Sequence, residues 1–362
     1  MRLLTAVLLI TVSSLPSAAQ ILYVNPDSEG PQNGSSWENG YRRIESALAV
    51  ASDGDEIWIR EGVYRTPADT HFVLKDGVAL YGGFSGTETS REERDPDVYP
   101  SIIRPRANER IRQNGGLMFA SGISATIDGL YLLHGRASRG GAIYVESSDI
   151  ILSHVVIEDA VALEAGGGLY VEGSVLKVSD SVVRGNCVGA FQNPSSLPGC
   201  RENNIQNVSQ GGGLYVYDTE IDIRRSRIES NLVRASLHSS GGGLFVLDSS
   251  ACIAESTIKA NSVRSDDLSS GGGIHSQASL LRVYSTTFES NWARAGYMIA
   301  RGSAVWFDGE GAPNGSLLVN VLAIGNWTFG FKPEPHLTRG VVEAVGGVLR
   351  VQQSTFVSND AP

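Results

Sequence analysis

From Gly140 onward, short runs of alternating apolar and polar residues keep returning to one phrase. It reads GGGLYV at Gly166–Val171 and again at Gly211–Val216, GGGLFV at Gly241–Val246 and GGGIHS at Gly271–Ser276. Each copy is followed by an apolar-x-x-Asn element: Val183 with Asn186, Ile228 with Asn231, Ile258 with Asn261 and Phe288 with Asn291. A motif recurring in fixed order predicts a solenoid, in which each coil buries its apolar face on the next. Coils are expected to start near Gly140, Gly166, Gly211, Gly241, Gly271, Gly302 and Arg339, with the largest insertion at Cys187–Gln210.

Aligned coils are read as columns. Ile143, Leu169, Leu214, Leu244, Ile274, Val305 and Val342 form one, and Val145, Val171, Val216, Val246, Ser276, Phe307 and Ala344 another two residues on. Period-two spacing turns both inward. A third inward column, Ser181, Ser226, Ser256, Thr286 and Ser354, must hydrogen-bond to be buried. Asn186, Asn231, Asn261, Asn291, Asn326 and Asn359 make a column whose amides can bond up and down the stack. Asn also tolerates the left-handed backbone a corner needs, so this ladder reads as structural in preference to a metal or ligand site. Two outward columns, Glu158-Arg184-Glu229-Lys259-Glu289 and Asp180-Arg225-Glu255, alternate in sign. That favours ion pairs over the like-signed carboxylates that a catalytic pair needs.

One more column carries rings: Tyr144, Tyr170, Tyr215, Phe245, His275 and Trp306. Two readings follow. With Gly168, Gly213, Gly243 and Gly273 leaving them room, the rings form an open platform for sugar or a protein partner. Otherwise they stack on one another beneath the corner loops.

The start of the chain has a different pattern. Arg2, the apolar run Leu3–Val12 and Ser17-Ala18-Ala19 before Gln20 read as a secretory signal over residues 1–19. Residues 20–64 are expected to cap the solenoid with a strand at Ile21–Val24, a helix at Tyr41–Ala51 and a strand at Glu56–Arg60. Residues 65–362 are then the repeat domain, with strands at Phe72–Phe84 and Ser101–Pro105 around a charged loop at Gly86–Pro100. Because the sequence stops just after Asn359, the last coil is expected to be incomplete.

Composition narrows the function classes. The net charge of −10 and the absence of a basic segment argue against nucleic acid. No apolar run after the leader is long enough for a membrane helix. The glycine runs lack the GK[ST] of a phosphate loop, the histidines make no metal-ligand spacing, and no cofactor motif is present. Asp95-Pro96-Asp97 and Asp266-Asp267 read as solvated loop charge. In an oxidising compartment Cys187 and Cys200 would close the insertion between them as a disulfide, leaving Cys252 odd.

The GG[AG][IL] and apolar-x-x-Asn elements resemble those of polymorphic outer membrane proteins and related exported bacterial right-handed parallel β-helices of the pectin-lyase-like fold. The entry segment, from Leu22-Tyr23-Val24 through Asp53-Gly54-Asp55-Glu56-Ile57-Trp58-Ile59 to Leu80-Tyr81-Gly82-Gly83-Phe84, is similar to the N-terminal part of such proteins. The resemblance implies an all-β, single right-handed parallel β-helix at the cell surface, in adhesion or envelope roles. Phenylalanine in the Phe-x-x-Asn position remains only at Phe288 and Phe356. The expectation is therefore a secreted, non-catalytic binder of glycan or protein through Tyr144, Tyr170, Tyr215, Phe245 and Trp306. A polysaccharide lyase or hydrolase is the competing reading, and a passive spacer a third.

Overall fold

A computed structural model describes residues 19–106, 112–189, 207–330 and 340–359. Residues 1–18 of the expected leader, Cys200 and Arg339 lie outside these residues. Every coil lays its strands on those of the coil before, parallel and in register, building sheets of 11, 10, 12 and 9 strands among the described residues. The protein is a parallel β-helix. The coil containing Gly166 shows the pattern: Leu169–Glu172, Val175–Ser179, Val182–Arg184 and Cys187–Val188 contribute to the four sheets in turn. The expected aliphatic columns are exact partners, Ile143 over Leu169 over Leu214 over Leu244 over Ile274 over Val305 over Val342. Their inward side chains fill one continuous core.

The coils turn at single left-handed residues. Asp180, Arg225, Glu255, Ser285 and Asn320 all have φ between 45° and 53°, and Gly185, Ser230, Ala260, Ser290 and Gly325 bend the next corner. The asparagine column was expected to take this conformation itself; instead the residue before each asparagine does. That arrangement frees the asparagine to point inward. Oδ1 of Asn231 accepts both the backbone N–H (3.0 Å) and the side-chain amide (3.0 Å) of Asn186, and its Nδ2 donates to Val183 O at 2.9 Å. Bends at non-glycine residues cost roughly 1–2 kcal/mol each, and such buried bonds offset them.

The hydroxyl column works the same way. Ser226 Oγ accepts the Ser181 N–H at 3.2 Å and donates to Arg224 O at 2.7 Å. A second hydroxyl ladder, Ser148, Ser174, Thr219, Ser249 and Ser279, serves another corner with identical bonding, as where Thr219 Oγ1 accepts the Ser174 N–H at 3.2 Å. Sequence reading missed it.

The three glycines of each motif have separate tasks. Gly241 is left-handed at φ 64°. A Cβ on Gly242 would sit 2.4 Å from Gly272 O and 2.7 Å from the Ser262 backbone. A Cβ on Gly243 would sit 2.7 Å from Gly273 O and 3.2 Å from the Asn261 amide. The third glycine thus makes room for the asparagine ladder, not for the rings as expected.

At the N-terminal end the helix is shorter than expected, Ile44–Val50, because Tyr41 bridges Val24 and is held extended by bonds to Tyr23 and Asn25. Ile44, Ala47 and Leu48 bury into the main core. The strands Ile21–Val24 and Glu56–Arg60 are already the first two members of the 11-stranded sheet, so the stack begins within the cap.

Candidate functional site

The aromatic column is where the register was expected to place it, but it is closed. Tyr144, Tyr170, Tyr215, Phe245 and Trp306 are 3%, 7%, 9%, 1% and 7% exposed. Neighbouring rings from Phe119 to His275 stack at 4.8–5.7 Å, with planes within 21° of parallel. His71 extends the stack beyond Phe119. A ring whose faces are occupied by its neighbours has none to offer a sugar, so the platform reading gives way to the self-stacking one. His275 takes a ring's place with Nδ1 2.9 Å from Ser270 Oγ; burial holds its pKa down at about 3, so it is a neutral member of the stack.

The asparagine column is likewise interior, buried from Asn186 to Asn326, with Asn359 continuing the bonding at 3.1 Å. Cys187 is disulfide-bonded and Cys252 is free. The alternating columns pair as expected, Arg184 with Glu158 at 2.8 Å, Lys259 with Glu289 at 2.8 Å and Arg225 with Asp180 at 2.7 Å. Among the described residues no cluster of His, Cys, Asp or Glu is arranged to hold a metal ion.

A different region gathers polar chemistry: the outer face of the 11-stranded sheet near its N-terminal end. Register stacks Ala79, Thr126, Ile151 and Lys177 in one outward column and Tyr81, Asp128, Ser153 and Ser179 in the next. The charged loop 86–100 folds over the edge of this face. Glu88 anchors it: burial opposes its charge, but N–H groups of Ser85, Gly86 and Thr87 at 2.6, 2.9 and 3.0 Å outweigh that and hold the carboxyl below its usual range. Trp37 Nε1 ties the same loop to the cap through Glu88 O at 3.0 Å. A Ser90–Glu93 capping box then starts the short 3-10 turn Arg91–Glu93.

That turn brings two arginines to one tyrosine. Arg91 lies 4.7 Å and Arg94 5.5 Å from the Tyr81 ring centre. Arg91 Nη1 donates to Tyr81 Oη at 2.8 Å and to Glu56 Oε1 at 3.0 Å. Burial raises the Tyr81 pKa, with Arg91 pulling the other way, so the phenol stays protonated. Arg94 is fully engaged, with Asp128 at 2.8 Å and Gly82 O at 3.1 Å. The other oxygen of Asp128 lies 3.3 Å from His154 Nδ1, which also meets Ser153 Oγ at 2.9 Å. A carboxylate therefore orients an imidazole whose Nε2 has no hydrogen-bond partner among the described residues.

Arg91, Glu92, Arg94, Pro96 and His154 line a hollow of about 240 Å³. A second hollow, about 260 Å³, lies on the same sheet over Ala79, Thr126 and Ile151, with Asp149 and Lys177 at its edge. The first is bordered by fixed donors and acceptors, and the second has a mostly apolar floor. None of these residues stood out in the sequence. Tyr81, Arg91, Arg94 and Asp128 precede Gly140, where the coil alignment has no GGGL phrase to anchor it, and Arg91 and Arg94 lie in the charged loop.

No protein-family model and no curated protein matches the chain. Among solved structures it is similar to pectate lyase Pel9A, at 14% identity over 96% of this chain and 79% of that one, with a TM-score of 0.37. A rhamnogalacturonan lyase aligns at 12% identity over 87% and 83% of the two chains, TM-score 0.32. The A-module of the Azotobacter vinelandii mannuronan C-5 epimerase AlgE6 aligns at 11% identity over 88% and 93%, TM-score 0.20.

Proposed function

We propose that the protein is an exported, non-catalytic β-helix that binds a glycan on the outer face of its 11-stranded sheet. One observation carries this reading: one hollow lies over Ala79, Thr126 and Ile151 of this sheet, and another is lined by Arg91, Arg94 and His154, whose side chains bond Tyr81 and Asp128 of the same sheet. Arginine–carboxylate pairs and a fixed imidazole suit a polyhydroxylated ligand, since each offers donors and acceptors in a held geometry. The floor of Ala79 and Thr126 leaves space for a sugar ring. Export is motivated by the charged, apolar and small-residue pattern of residues 1–19. The test is a glycan array with the full exported chain, followed by titration of the best binder. Arg91→Ala and His154→Ala should each weaken binding about tenfold, and Tyr170→Ala should leave it unchanged. Binding indifferent to Arg91 and His154 would remove the site from consideration.

A lyase reading is favoured by one detail, the Asp128–His154 pair beside Arg91. In that scheme Arg91 neutralises a uronate carboxylate, and His154 Nε2 takes the proton from the adjacent carbon as the glycosidic oxygen leaves. Incubation with polyuronates, with ultraviolet detection of an unsaturated product, decides between the two.

A further inference from the structure

The first strand of the stack begins at Ile21, one residue after the point where the leader is expected to be cut. Gln20 is fastened there through its backbone. The Glu56 N–H donates to Gln20 O at 2.9 Å, and the Gln20 N–H donates to Asp55 Oδ1 at 3.0 Å. The Gln20 side-chain amide reaches the other oxygen, Asp55 Oδ2, at 3.4 Å, beside the Ser52 N–H at 2.8 Å. Asp55 is only 3% exposed. These bonds all come from neutral N–H groups, and among the described residues no lysine, arginine or histidine pairs with it. Lys75, at the same end of the stack, donates instead to Ala49 O and Ala51 O, both at 3.0 Å. Buried carboxylates are normally paired, because taking an unpaired charge out of water is costly. The turn before Glu56–Arg60 needs only Oδ2, for Ser52; Oδ1 is given to the nitrogen of Gln20.

Ser17-Ala18-Ala19 sets the expected cut between Ala19 and Gln20. Hydrolysis of that bond sends a carboxylate away on Ala19 and leaves the Gln20 nitrogen as an α-amine, with water as the co-reactant. We propose that the new α-ammonium of Gln20 is the counter-ion of Asp55, so that removal of the leader locks the first strand onto the solenoid. An α-amine ordinarily titrates at about 7.7–8.0, and a carboxylate beside it favours the charged form, so the pair is ionic at neutral pH. The nitrogen already lies 3.0 Å from Oδ1, so the charge is gained without rearrangement. A charge-assisted bond is roughly twice as strong as the neutral one it replaces. Any residue left in front of Gln20 keeps that nitrogen a neutral amide. The inference rests on the export part of the reading above and is independent of its glycan site.

The experiment compares the full chain starting at Gln20 with one that keeps Ala18-Ala19 before it, each released from an N-terminal fusion and each also made with Asp55→Asn. Amides of Ile21–Val24 should exchange hydrogen about tenfold more slowly in the chain starting at Gln20, and Asp55→Asn should erase that difference. Bonds from Asp55 to neutral N–H groups are common to both chains and cancel in the comparison. Should Asp55→Asn fail to fold, acetylating the α-amine of the chain starting at Gln20 removes the charge alone and should restore the faster exchange. Equal exchange in the two parent chains, or a difference that survives Asp55→Asn or acetylation, overturns the proposal. So does an exported chain whose Gln20 nitrogen has closed on its own side-chain carbonyl with loss of ammonia, since that lactam carries no charge. The mass of the exported chain tests the leader separately. A chain still carrying residues 1–19 overturns export and this proposal together, whereas failed glycan binding with the exchange difference intact overturns the glycan site alone.

Discussion

Asn231 gives both of its inward donors to one atom of Asn261: the backbone N–H reaches Oδ1 at 3.1 Å and Nδ2 reaches it at 2.9 Å. Asn261 in turn donates to Ile228 O at 2.7 Å and to Asn291 Oδ1 at 3.0 Å. Each amide is thus the acceptor for the coil before and a donor to the coil after, at a position with no access to water.

Replacing Asn261 by Ala removes the acceptor of two donors on Asn231, its backbone N–H and one N–H of its side chain, in the core. Buried groups left without partners cost about 1–3 kcal/mol each. The variant should lose at least about 3 kcal/mol in denaturant unfolding. A loss below about 1 kcal/mol would mean that water or a shifted backbone takes over the bonds.

The glycine triplet should show a graded response. Gly242→Ala drives a methyl group into the backbone of its own coil at Ser262 and of the next at Gly272, whereas Gly243→Ala meets one backbone oxygen and the edge of an amide. Gly242→Ala should therefore be the more destabilising, and both should exceed Gly122→Asn, which has open space and a left-handed backbone that Asn accepts. Thermal midpoints of the three variants check the order.

Tyr170 is sandwiched between Tyr144 and Tyr215 at 5.0 and 4.8 Å. Tyr170→Ala opens a gap in the stack and should cost about 3 kcal/mol. Tyr170→Phe removes only the hydroxyl, which bonds Glu172 at 3.2 Å, and should be nearly neutral. If the column were a ligand platform, the Phe variant would still bind and the Ala variant would not. On the structure, neither should change glycan binding.

His275 makes stability depend on pH. Its pKa in the folded chain, about 3, is below the ordinary 6.5, so between these values the unfolded chain takes a proton that the folded chain refuses. Stability is fully present above about pH 6.5 and falls as pH drops toward 3, by at most about 1.4 kcal/mol per pH unit. His275→Phe should flatten the pH dependence of the thermal midpoint in that window. An unchanged slope would show that other groups set it.

Much of the coil was legible in the sequence because a solenoid repeats its local rules. Once Leu169, Leu214 and Leu244 are aligned, one pattern of alternation fixes inward and outward for each coil, and the asparagine and serine columns follow. Corners were less legible. The left-handed bend at Arg225, Glu255 or Ala260 has no residue-type signal, because the fold imposes it on whatever precedes the inward hydroxyl or amide.

Tertiary structure alone decided which columns are open. The spacing that put Tyr144, Tyr170 and Tyr215 outward also brought them within stacking distance, and mutual burial closed them. Arg91 meets Tyr81 and Arg94 meets Asp128 because a loop with no repeat folds back over a sheet, a contact that no periodicity encodes. The GGGL…Asn phrase determined the scaffold by itself, because its interactions repeat at one fixed spacing. The surfaces available to a ligand depended on where non-repeating segments and distant coils meet.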